Sequence, residues 1–232
     1  MTLVMVFDTE TTGLPEKKAS IKEHDKWPYI TQLSFIVYNT YTNKVEKFYN
    51  NYIKLHNDIV INSDAEKITG INKDFLKDNG VDIKIVMHDF NNSLRRCNLI
   101  IGHNLSFDKR LIMVECFRNN INQYFTCYYN SRIPVRKNEY CTMINSKNLN
   151  NNKYFKLVNL FKHLFDYTPE NLHDSRVDIL ITLKIYIKLE YNKDINVLSS
   201  EFHNLFKEFM LCDNNISSSN NIISNNTACL ND

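Results

Sequence analysis

Acidic side chains cluster near the start of this sequence, and their spacing suits metal binding. The run FDTETTGL, residues 7–14, follows a short apolar stretch with the pattern of a buried strand. Side chains alternate along a strand, so Asp8 and Glu10 project from the same face. Paired carboxylates repel each other unless they share a cation or a proton, and oxygen ligands select a hard ion such as Mg²⁺ or Mn²⁺. The competing interpretation is a solvated acidic strand end that caps a helix.

A second segment, GHNLSFD at residues 102–108, also follows a short apolar strand. Its Asp108 is predicted to lie at the start of the next helix, with the carboxylate directed back towards the strand ends. Taken alone, this residue is explained by the helix dipole, which favours an acidic side chain in the first turn. This segment therefore indicates a functional site only in combination with the other acidic segments.

A third segment, LHDSRVD at residues 172–178, opens a long helix and combines histidine with acidic residues. His173 and Asp178 can face one cleft if the histidine precedes or begins the helix. Histidine is suited to general base catalysis near neutral pH. Two ambiguities remain at this point. A histidine at a helix start is usually a surface residue, and Asp174 competes with Asp178 for the acidic role.

Strands and helices must position these segments. Apolar runs and turn residues predict strands at residues 3–8, 30–40, 44–55, 98–102 and 140–144. Helical spacing predicts helices at residues 65–68, 82–95, 107–117, 157–165, 173–191 and 198–211, with Ser63 and Asp64 as the cap of the first. Residues 40–43 form the turn of an antiparallel hairpin, and residues 16–26 form a charged loop that is either functional or mobile. Strands interleaved with helices indicate an α/β layer fold.

Length and composition limit the class of protein. At 232 residues and 27.5 kDa the chain holds one domain with a full core, or at most two small ones. Hydrophobic residues at 43% and charged residues at 23% are ordinary globular values. The longest apolar runs are too short to cross a bilayer, so we expect no membrane span. A formal charge of +2 does not by itself demand nucleic acid.

The cysteines and the amino terminus indicate a location inside the cell. The 6 cysteines form no CxxC pair and no Cys/His cluster with zinc-finger spacing. Nothing at the amino terminus resembles a signal peptide, because the apolar stretch at residues 3–7 runs directly into acidic and polar residues. We therefore expect free thiols in a reducing cytoplasm or nucleus, and no secretion.

Two other stretches differ in character from the rest. Residues 119–139 mix aromatic and basic side chains, a combination that can stack bases and hold phosphates, although a solvated loop with half-buried aromatics also explains it. Residues 212–232 are rich in Asn and Ser, with almost no large apolar side chains, and we expect a disordered tail there. The functional domain is therefore assigned to residues 1–211.

In combination, the three acidic segments resemble the DEDDh family of DnaQ-like 3′–5′ exonucleases. In that family the motifs D-x-E-T-T-G, H-N-x-x-F-D and H-x-x-x-x-D follow one another in this order. The sequence matches them residue by residue at Asp8, Glu10, His103 to Asp108, His173 and Asp178. Residues 27–33, 68–71 and 156–165 resemble softer family features, so the similarity extends over about residues 1–190. One departure is Asp174-Ser175 after the histidine, where the family has a small residue and Ala.

The resemblance implies a ribonuclease-H-like α/β fold, with a mixed five-stranded sheet flanked by helices, and a nuclease site. Two divalent ions, Mg²⁺ or Mn²⁺, would be held by Asp8, Glu10, Asp108 and Asp178. His173 would be the general base that takes a proton from the attacking water, and a nucleoside 5′-monophosphate would leave from a free 3′ end. Candidates for contact with the terminal nucleotide are Thr11, Leu14, Ile71, His103, Asn104 and Phe107. Leu14 and Ile71 are equally explained as core residues.

The resemblance leaves substrate and partners open. DNA 3′ ends, single-stranded DNA above all, are the favoured substrate. RNA 3′ ends are the runner-up, because no motif reveals a contact to the 2′-hydroxyl. An inactive domain that binds nucleic acid or protein is the alternative of another class, and the presence of all four carboxylates and His173 speaks against it. The expected protein partner is a polymerase or another replication protein, and a homodimer is compatible with the sequence.

Overall fold

A five-stranded sheet forms the centre of the protein, whose computed structural model describes residues 2–127 and 135–210. The strands are β1 (Leu3–Thr11), β2 (Ile30–Asn39), β3 (Lys44–Tyr52), β4 (Leu99–Gly102), β5 (Thr126–Cys127), β6 (Val135–Arg136) and β7 (Asn138–Cys141). The sheet has the order β3-β2-β1-β4-β7, and β5 pairs separately with β6. β2 is antiparallel to both neighbours, whereas β1 with β4 and β4 with β7 are parallel. This is the mixed five-stranded sheet that the sequence predicted.

Helices flank this sheet. They are α1 (Ser63–Thr69), α2 (Lys73–Asn79), α3 (Ile83–Arg96), α4 (Leu105–Arg118), α5 (Thr142–Asn145), α6 (Leu157–Phe165), α7 (Ser175–Tyr191), α8 (Ile195–Leu198) and α9 (Ser200–Met210). Short 3₁₀ turns occur at His24–Lys26 and Lys147–Asn150. Across the described ranges, no helix combines the length and the apolar character needed to span a bilayer.

Two hydrophobic clusters cover the two faces of the sheet. Along β1, Met5 and Phe7 belong to one cluster together with α3 and α4, whereas Val4 and Val6 belong to the other with α6, α7 and α9. A strand buried on both faces reads as a continuous apolar run, which is why β1 is visible in the sequence. The same alternation directs the side chains of Asp8 and Glu10 towards α7.

Strand boundaries differ from the prediction where pairing with a neighbour decides them. β1 continues to Thr11 rather than ending at Asp8, because it stays paired with β2 as far as Ile30, with a bulge after Glu10. β7 ends at Cys141, which is paired with the last residue of β4. The predicted strand at residues 140–144 is therefore wrong in its second half, which forms α5. β3 likewise ends at Tyr52 and not at residue 55.

The first short helices also differ from the prediction. α1 is capped by Asn62, whose side chain accepts a hydrogen bond from the main-chain N–H of Asp64, and the predicted cap of Ser63 and Asp64 is wrong. Asn is among the strongest capping residues, so Asn62 completes the first turn. The sequence pattern gives no sign of α2, because Leu76 is its single buried residue and one residue makes no apolar period.

The loop at residues 16–26 is closed and packed against α4. The main-chain N–H of Glu16 donates to the carbonyl of Lys26 at 3.0 Å, and the indole N–H of Trp27 donates to the carbonyl of Ser20 at 3.0 Å. At the end of α4, the guanidinium of Arg118 binds the main-chain carbonyls that close the loop. These contacts argue against the mobile alternative.

Cys97, Cys116 and Cys141 are free and buried. Burial raises the pKa of the Cys97 thiol to about 11 and that of Cys116 to about 12. Since the thiolate is the reactive form, burial keeps these two thiols inert. For these three cysteines the expected free state is confirmed.

Several sequence predictions lie outside the described residues. The tail at residues 212–232 is one of them. The aromatic and basic side chains Tyr128, Tyr129 and Arg132, in the middle of the segment at residues 119–139, are others. The assignment of residues 1–211 to one domain stays a prediction.

Candidate active site

Three carboxylates converge where β1 faces the first turn of α7. Asp8 and Glu10 come from the α7 face of β1, and Asp178 comes from the fourth position of α7. Within the described part of the chain, they are the one group of acidic, histidine or cysteine side chains whose ligand atoms all lie within 4.8 Å of one another. The first and third sequence segments therefore meet in space.

Burial and mutual repulsion make this group unfavourable in the ionised state. The pKa of Asp8 lies well above its ordinary value, first because of burial and then because of the neighbouring charges of Asp108 and Asp178. Burial, with repulsion from Asp178, raises the pKa of Glu10 to about 9. Burial also raises the pKa of Asp178 to about 7. A bound divalent cation reverses this effect, because it favours the ionised form of each carboxylate.

One buried oxygen atom in the group has no partner. Oδ1 of Asp178 is buried and accepts no hydrogen bond from the residues that the structure describes. A buried polar atom without a partner is costly, and a hard cation satisfies a carboxylate oxygen of this kind. Because all the available donors are carboxylate oxygens, the group fits Mg²⁺ or Mn²⁺ better than a soft metal.

Asp108 lies beside this group and is held by β1. The main-chain N–H and the hydroxyl of Thr9 donate to Oδ1 of Asp108, at 3.1 and 2.7 Å. Burial raises the pKa of Asp108 to about 7, although these hydrogen bonds lower it. Its charge acts on Asp8 and Glu10, but its oxygens are not among those that converge in the described structure. Asp108 is therefore adjacent to the convergent group. Thr9 was not recognised from the sequence, although it stands between two acidic residues.

His173 lies in the loop immediately before α7, which begins at Ser175 and not at residue 173 as predicted. Its backbone is left-handed, with a φ of 66°, and its side chain is exposed. Its main-chain N–H faces the carboxylate of Asp178 and lowers the pKa of that group. The backbone of His173 thus lies beside the acidic group, while its imidazole is exposed.

Asp174 and Asp178 have different surroundings, which decides between the two acidic candidates. The side chain of Asp174 caps α7, since it accepts the main-chain N–H of Arg176 at 2.9 Å. The guanidinium of Arg176 binds both of its oxygens, and Gln32 donates to it at 3.0 Å. The oxygens of Asp174 are thereby used within the protein. Asp178 is the residue that faces β1.

β2 supplies polar residues that the sequence analysis missed. Gln32 and Ser34 are buried, and in the β1–β2 ladder they stand opposite Glu10 and Asp8. The hydroxyl of Ser34 lies 2.6 Å from that of Ser175, and Oε1 of Gln32 accepts the main-chain N–H of Ser175 at 3.4 Å. These contacts fix the start of α7 against the sheet. The signal in the sequence is a polar pair at alternate positions of an otherwise apolar strand.

The predicted contacts to a terminal nucleotide differ in exposure. Leu14 is 84% exposed, so it is not a core residue. Ile71 is 4% exposed and therefore packs in the interior. The hydroxyl of Thr11 donates to the carbonyl of Gly13 at 2.7 Å, which shapes the turn that presents Leu14. Of the two apolar candidates, Leu14 is the one that the fold leaves available to a ligand.

Both ring nitrogens of His103 are used inside the protein, which argues against the predicted contact with substrate. Nε2 lies 3.0 Å from the carbonyl of Phe155, and Nδ1 lies 2.9 Å from the hydroxyl of Thr142. Because a carbonyl only accepts, Nε2 carries the proton and Nδ1 accepts from the hydroxyl. Burial lowers the pKa of His103 to about 4, so the ring is neutral. His103 thus anchors the turn between β4 and α4.

Asn104 and Phe107 lie on the same turn as Asp108 but differ from each other. Asn104 is exposed, has a φ of 65°, and makes no side-chain capping bond at the start of α4. Its carboxamide is available to a ligand. Phe107 is half-buried and packs against the core cluster on the α4 face, so only part of its ring is accessible.

Comparison with known proteins gives independent evidence on family and fold. Residues 5–186 match the family model RNase_T, described as "Exonuclease". DNA polymerase III subunit epsilon of Buchnera aphidicola subsp. Schizaphis graminum (strain Sg) is 38% identical over 114 residues, which cover 48% of this chain and 44% of that protein. A solved structure of exonuclease I superposes with a TM-score of 0.63 at 19% identity, over 90% of this chain and 44% of that one. The zinc-bound complex of E. coli exonuclease I with single-stranded DNA gives 0.62 at 18% identity, over 90% and 42% of the two chains.

These similarities cover different parts of the molecule. The family model includes all three acidic segments and ends within α7, before α8 and α9. At the identities of the solved structures, the likeness shows the fold alone, and it confirms the expected ribonuclease-H-like sheet and helices. The chain spans less than half the length of the relatives it matches.

Proposed function

Since the chain belongs to the RNase_T exonuclease family, in its DnaQ-like DEDDh branch, we propose that it removes nucleoside 5′-monophosphates from DNA 3′ ends by metal-dependent hydrolysis. The observation that carries this proposal is the convergence of Asp8, Glu10 and Asp178 within 4.8 Å, with Asp108 alongside. A domain that only bound nucleic acid would gain nothing from mutually repelling carboxylates held this close together, one of them buried and two half-buried. The convergence therefore favours the enzyme over the inactive alternative.

Four carboxylates would hold two divalent ions: Asp8, Glu10, Asp108 and Asp178. The fit rests on their oxygen-only chemistry, on the unpartnered Oδ1 of Asp178, and on the raised pKa values that a cation would reverse. Mg²⁺ or Mn²⁺ bound there would supply the positive charge that stabilises the attacking and leaving oxygens of an in-line displacement. Thr9 and Ser34 support this arrangement from the two faces of the sheet.

His173 is assigned as the general base. Its exposed imidazole belongs to a residue whose main-chain N–H faces the carboxylate of Asp178, so this residue stands beside the acidic group. One ring nitrogen takes the proton of the attacking water as the bond to phosphorus forms. The exposure of the ring then allows the proton to pass to solvent, which restores the base.

The terminal nucleotide would be bound by residues on two turns next to the acidic group. Leu14 offers an exposed apolar contact to base or sugar, and Thr11 shapes the turn that presents it. Asn104 offers a carboxamide, and Phe107 offers the accessible part of its half-buried ring, from the turn that carries Asp108. Burial of an exposed leucine against a base contributes to affinity in proportion to the apolar area removed from water.

DNA is favoured over RNA, and a polymerase is the proposed partner. The relative with 38% identity is a DNA polymerase III subunit, and one structural neighbour was solved with single-stranded DNA. These two facts support DNA as substrate, with RNA as the runner-up. They also support a role beside a DNA polymerase. A homodimer stays a prediction from the sequence.

The decisive experiment compares single-stranded DNA, duplex DNA and RNA of one sequence, each labelled at the 5′ end and incubated with Mg²⁺, Mn²⁺ or EDTA. We expect DNA shortened stepwise from its 3′ end with either metal, and no products in EDTA. Asp8→Ala abolishes this activity, whereas Asp78→Ala, at an exposed position on α2, leaves the rate unchanged. Faster degradation of the RNA than of the DNA would favour RNA 3′ ends as the substrate. Degradation in EDTA would contradict the metal site.

A further inference from the structure

The loop that carries His173 has an unfavourable backbone conformation. Asn171 has a φ of 53° and His173 a φ of 66°. This left-handed region is sterically disfavoured for residues other than glycine, although asparagine tolerates it better than most. A loop with two such residues within three positions keeps its shape only when contacts from elsewhere hold it.

The last turn of α9 supplies contacts on both sides of His173. Before it in the chain, Nδ2 of Asn171 donates to the main-chain carbonyl of Phe209 at 3.1 Å. After it, the guanidinium carbon of Arg176 lies 5.1 Å from the ring centroid of Phe209. Arg176 in turn binds Asp174, which caps α7. One residue of α9 therefore touches both flanks of the loop.

α9 is itself anchored to the body of the protein. Phe202 and Phe206 are buried in the cluster on the α7 face of the sheet. The carboxylate of Glu201 accepts the main-chain N–H of Val45 on β3 at 3.0 Å. Phe209 also stacks on a phenylalanine of β3, with 5.4 Å between the ring centroids. The end of α9 is thus packed against the sheet, and the loop that carries His173 contacts it there.

This support comes from outside the region that matches the family model. The match ends at residue 186, whereas α9 spans Ser200–Met210. His173 lies inside the match. A helix beyond the matched region therefore supports a loop within it.

We infer that Asn171, Arg176 and Phe209 form a latch by which α9 positions His173 for catalysis. The latch acts through the loop, and all three members are positioning residues. Without it the loop would relax from its left-handed conformation, and the main chain that carries the imidazole would shift relative to the acidic group. The inference rests on the proposed role of His173 as general base.

The kinetic test uses Asn171→Gly, which removes the amide but suits a positive φ. We expect kcat to fall about tenfold, a part of the 10²–10⁴-fold that a general base contributes, while KM stays within about twofold. In a His173→Ala background, the same substitution should change the rate no further. The matched control is Asn151→Gly, at an exposed asparagine with a φ of 49° that follows the 3₁₀ turn Lys147–Asn150, and it should leave kcat unchanged.

The outcomes separate this inference from the proposed function. If His173→Ala is as fast as the wild type, the role of His173 as base is refuted, and the latch loses its purpose with it. Suppose instead that His173→Ala is slow. The latch alone is then refuted if Asn171→Gly has a normal kcat, or if it lowers the rate equally in the wild type and in His173→Ala.

A second measurement needs no activity. Hydrogen–deuterium exchange of the main-chain amides at residues 175–178, which are hydrogen-bonded at the start of α7, should rise about tenfold in Asn171→Gly and in Phe209→Ala, because opening of this turn no longer breaks contacts with α9. Exchange in α3, on the other face of the sheet, should stay unchanged. Wild-type exchange at residues 175–178 in both variants would overturn the latch.

Discussion

Thr9 donates two hydrogen bonds to the same carboxylate oxygen of Asp108, one from its main-chain N–H and one from its hydroxyl. β4 pairs with β1 only as far as the Val6–Ile101 pair, so the N–H of Thr9 has no strand partner on that side and finds Asp108 instead. Side chains alternate along β1, and the strand therefore presents two carboxylates towards α7 while it fastens α4 through the residue between them.

Thr9→Val tests this attachment, because valine keeps the shape of the side chain and removes only the hydroxyl. We expect kcat on labelled single-stranded DNA to fall about tenfold. The free energy of unfolding should fall by about 1–2 kcal/mol, since a hydrogen bond to a charged group contributes on the order of 1.5–3 kcal/mol. Thr42→Val, in the exposed turn between β2 and β3, is the control and should change neither. A normal kcat in Thr9→Val would show that the main-chain bond alone positions Asp108.

Asp8→Asn should move activity and stability in opposite directions. Activity with Mg²⁺ should be lost, because a neutral amide holds a hard cation poorly. The metal-free protein should gain about 1 kcal/mol of stability, since the substitution removes one of several mutually repelling carboxylates that are partly withdrawn from water. Thermal unfolding in EDTA and a nuclease assay on the same preparation measure the two effects. A lower stability in EDTA would mean that the carboxylate of Asp8 has a structural partner.

Asp8, Glu10 and Asp178 can be predicted from the sequence because each is identified by residues close to it in the chain. The period of a strand places the first two on one face, and a histidine five residues before an aspartate fits a helix start. The choice of Asp178 over Asp174 is only partly local. Arg176 engages Asp174 from two residues away, but the hydrogen bond from Gln32 comes from 142 residues away in the chain.

Other features could not be predicted because they depend on where neighbouring elements end. β1 extends to Thr11 only because β2 continues beside it, and residues 142–144 leave the strand conformation because β4 has already ended at Gly102. The contact between Asn171 and Phe209 joins two segments that are 38 residues apart, and neither carries a pattern that points to the other.

The acidic group should lower the metal-free stability progressively as the pH rises from about 4 to about 9. In the folded protein the pKa of Asp108 and of Asp178 is about 7 and that of Glu10 is about 9, whereas ordinary values lie near 4. The folded state therefore holds protons that the unfolded state has released, and unfolding becomes easier with rising pH. The contribution is complete below about pH 4 and is lost as the pH passes through these raised values.

Melting temperatures in EDTA across this pH range measure the effect. Saturating Mg²⁺ should remove the decline, because a bound cation favours the ionised carboxylates. Glu10→Gln should flatten the upper end of the curve, where that residue titrates. A curve in EDTA that is level from about pH 7 to about pH 9 would contradict the raised pKa of Glu10.

His103 should produce a pH dependence of the opposite sign. Burial lowers its folded pKa to about 4, while histidine in an unfolded chain titrates near 6.5. Its contribution to stability is present above about pH 6.5 and is lost as the pH falls towards 4, up to about 2–3 kcal/mol. His103→Gln can keep the bonds to Thr142 and Phe155 but cannot titrate, so it should lose less stability than the wild type over this range. The control His56→Gln, at an exposed histidine, should lose as much stability over this range as the wild type. If His103→Gln also loses as much stability as the wild type, His103 is not the source of the pH dependence.

Leu14 and Ile71 should respond to substitution in contrasting ways, because one is 84% and the other 4% exposed. Leu14→Ser should raise KM for single-stranded DNA about tenfold and leave the melting temperature unchanged, since it removes an apolar contact made only with the nucleotide. Val197→Ser, at a residue 85% exposed on α8, is the matched control and should change neither quantity. Ile71→Ala should instead lower the free energy of unfolding by about 2–4 kcal/mol through the cavity it leaves. Steady-state kinetics and denaturant titrations of the three variants measure these effects, and a normal KM in Leu14→Ser would remove Leu14 from the nucleotide site.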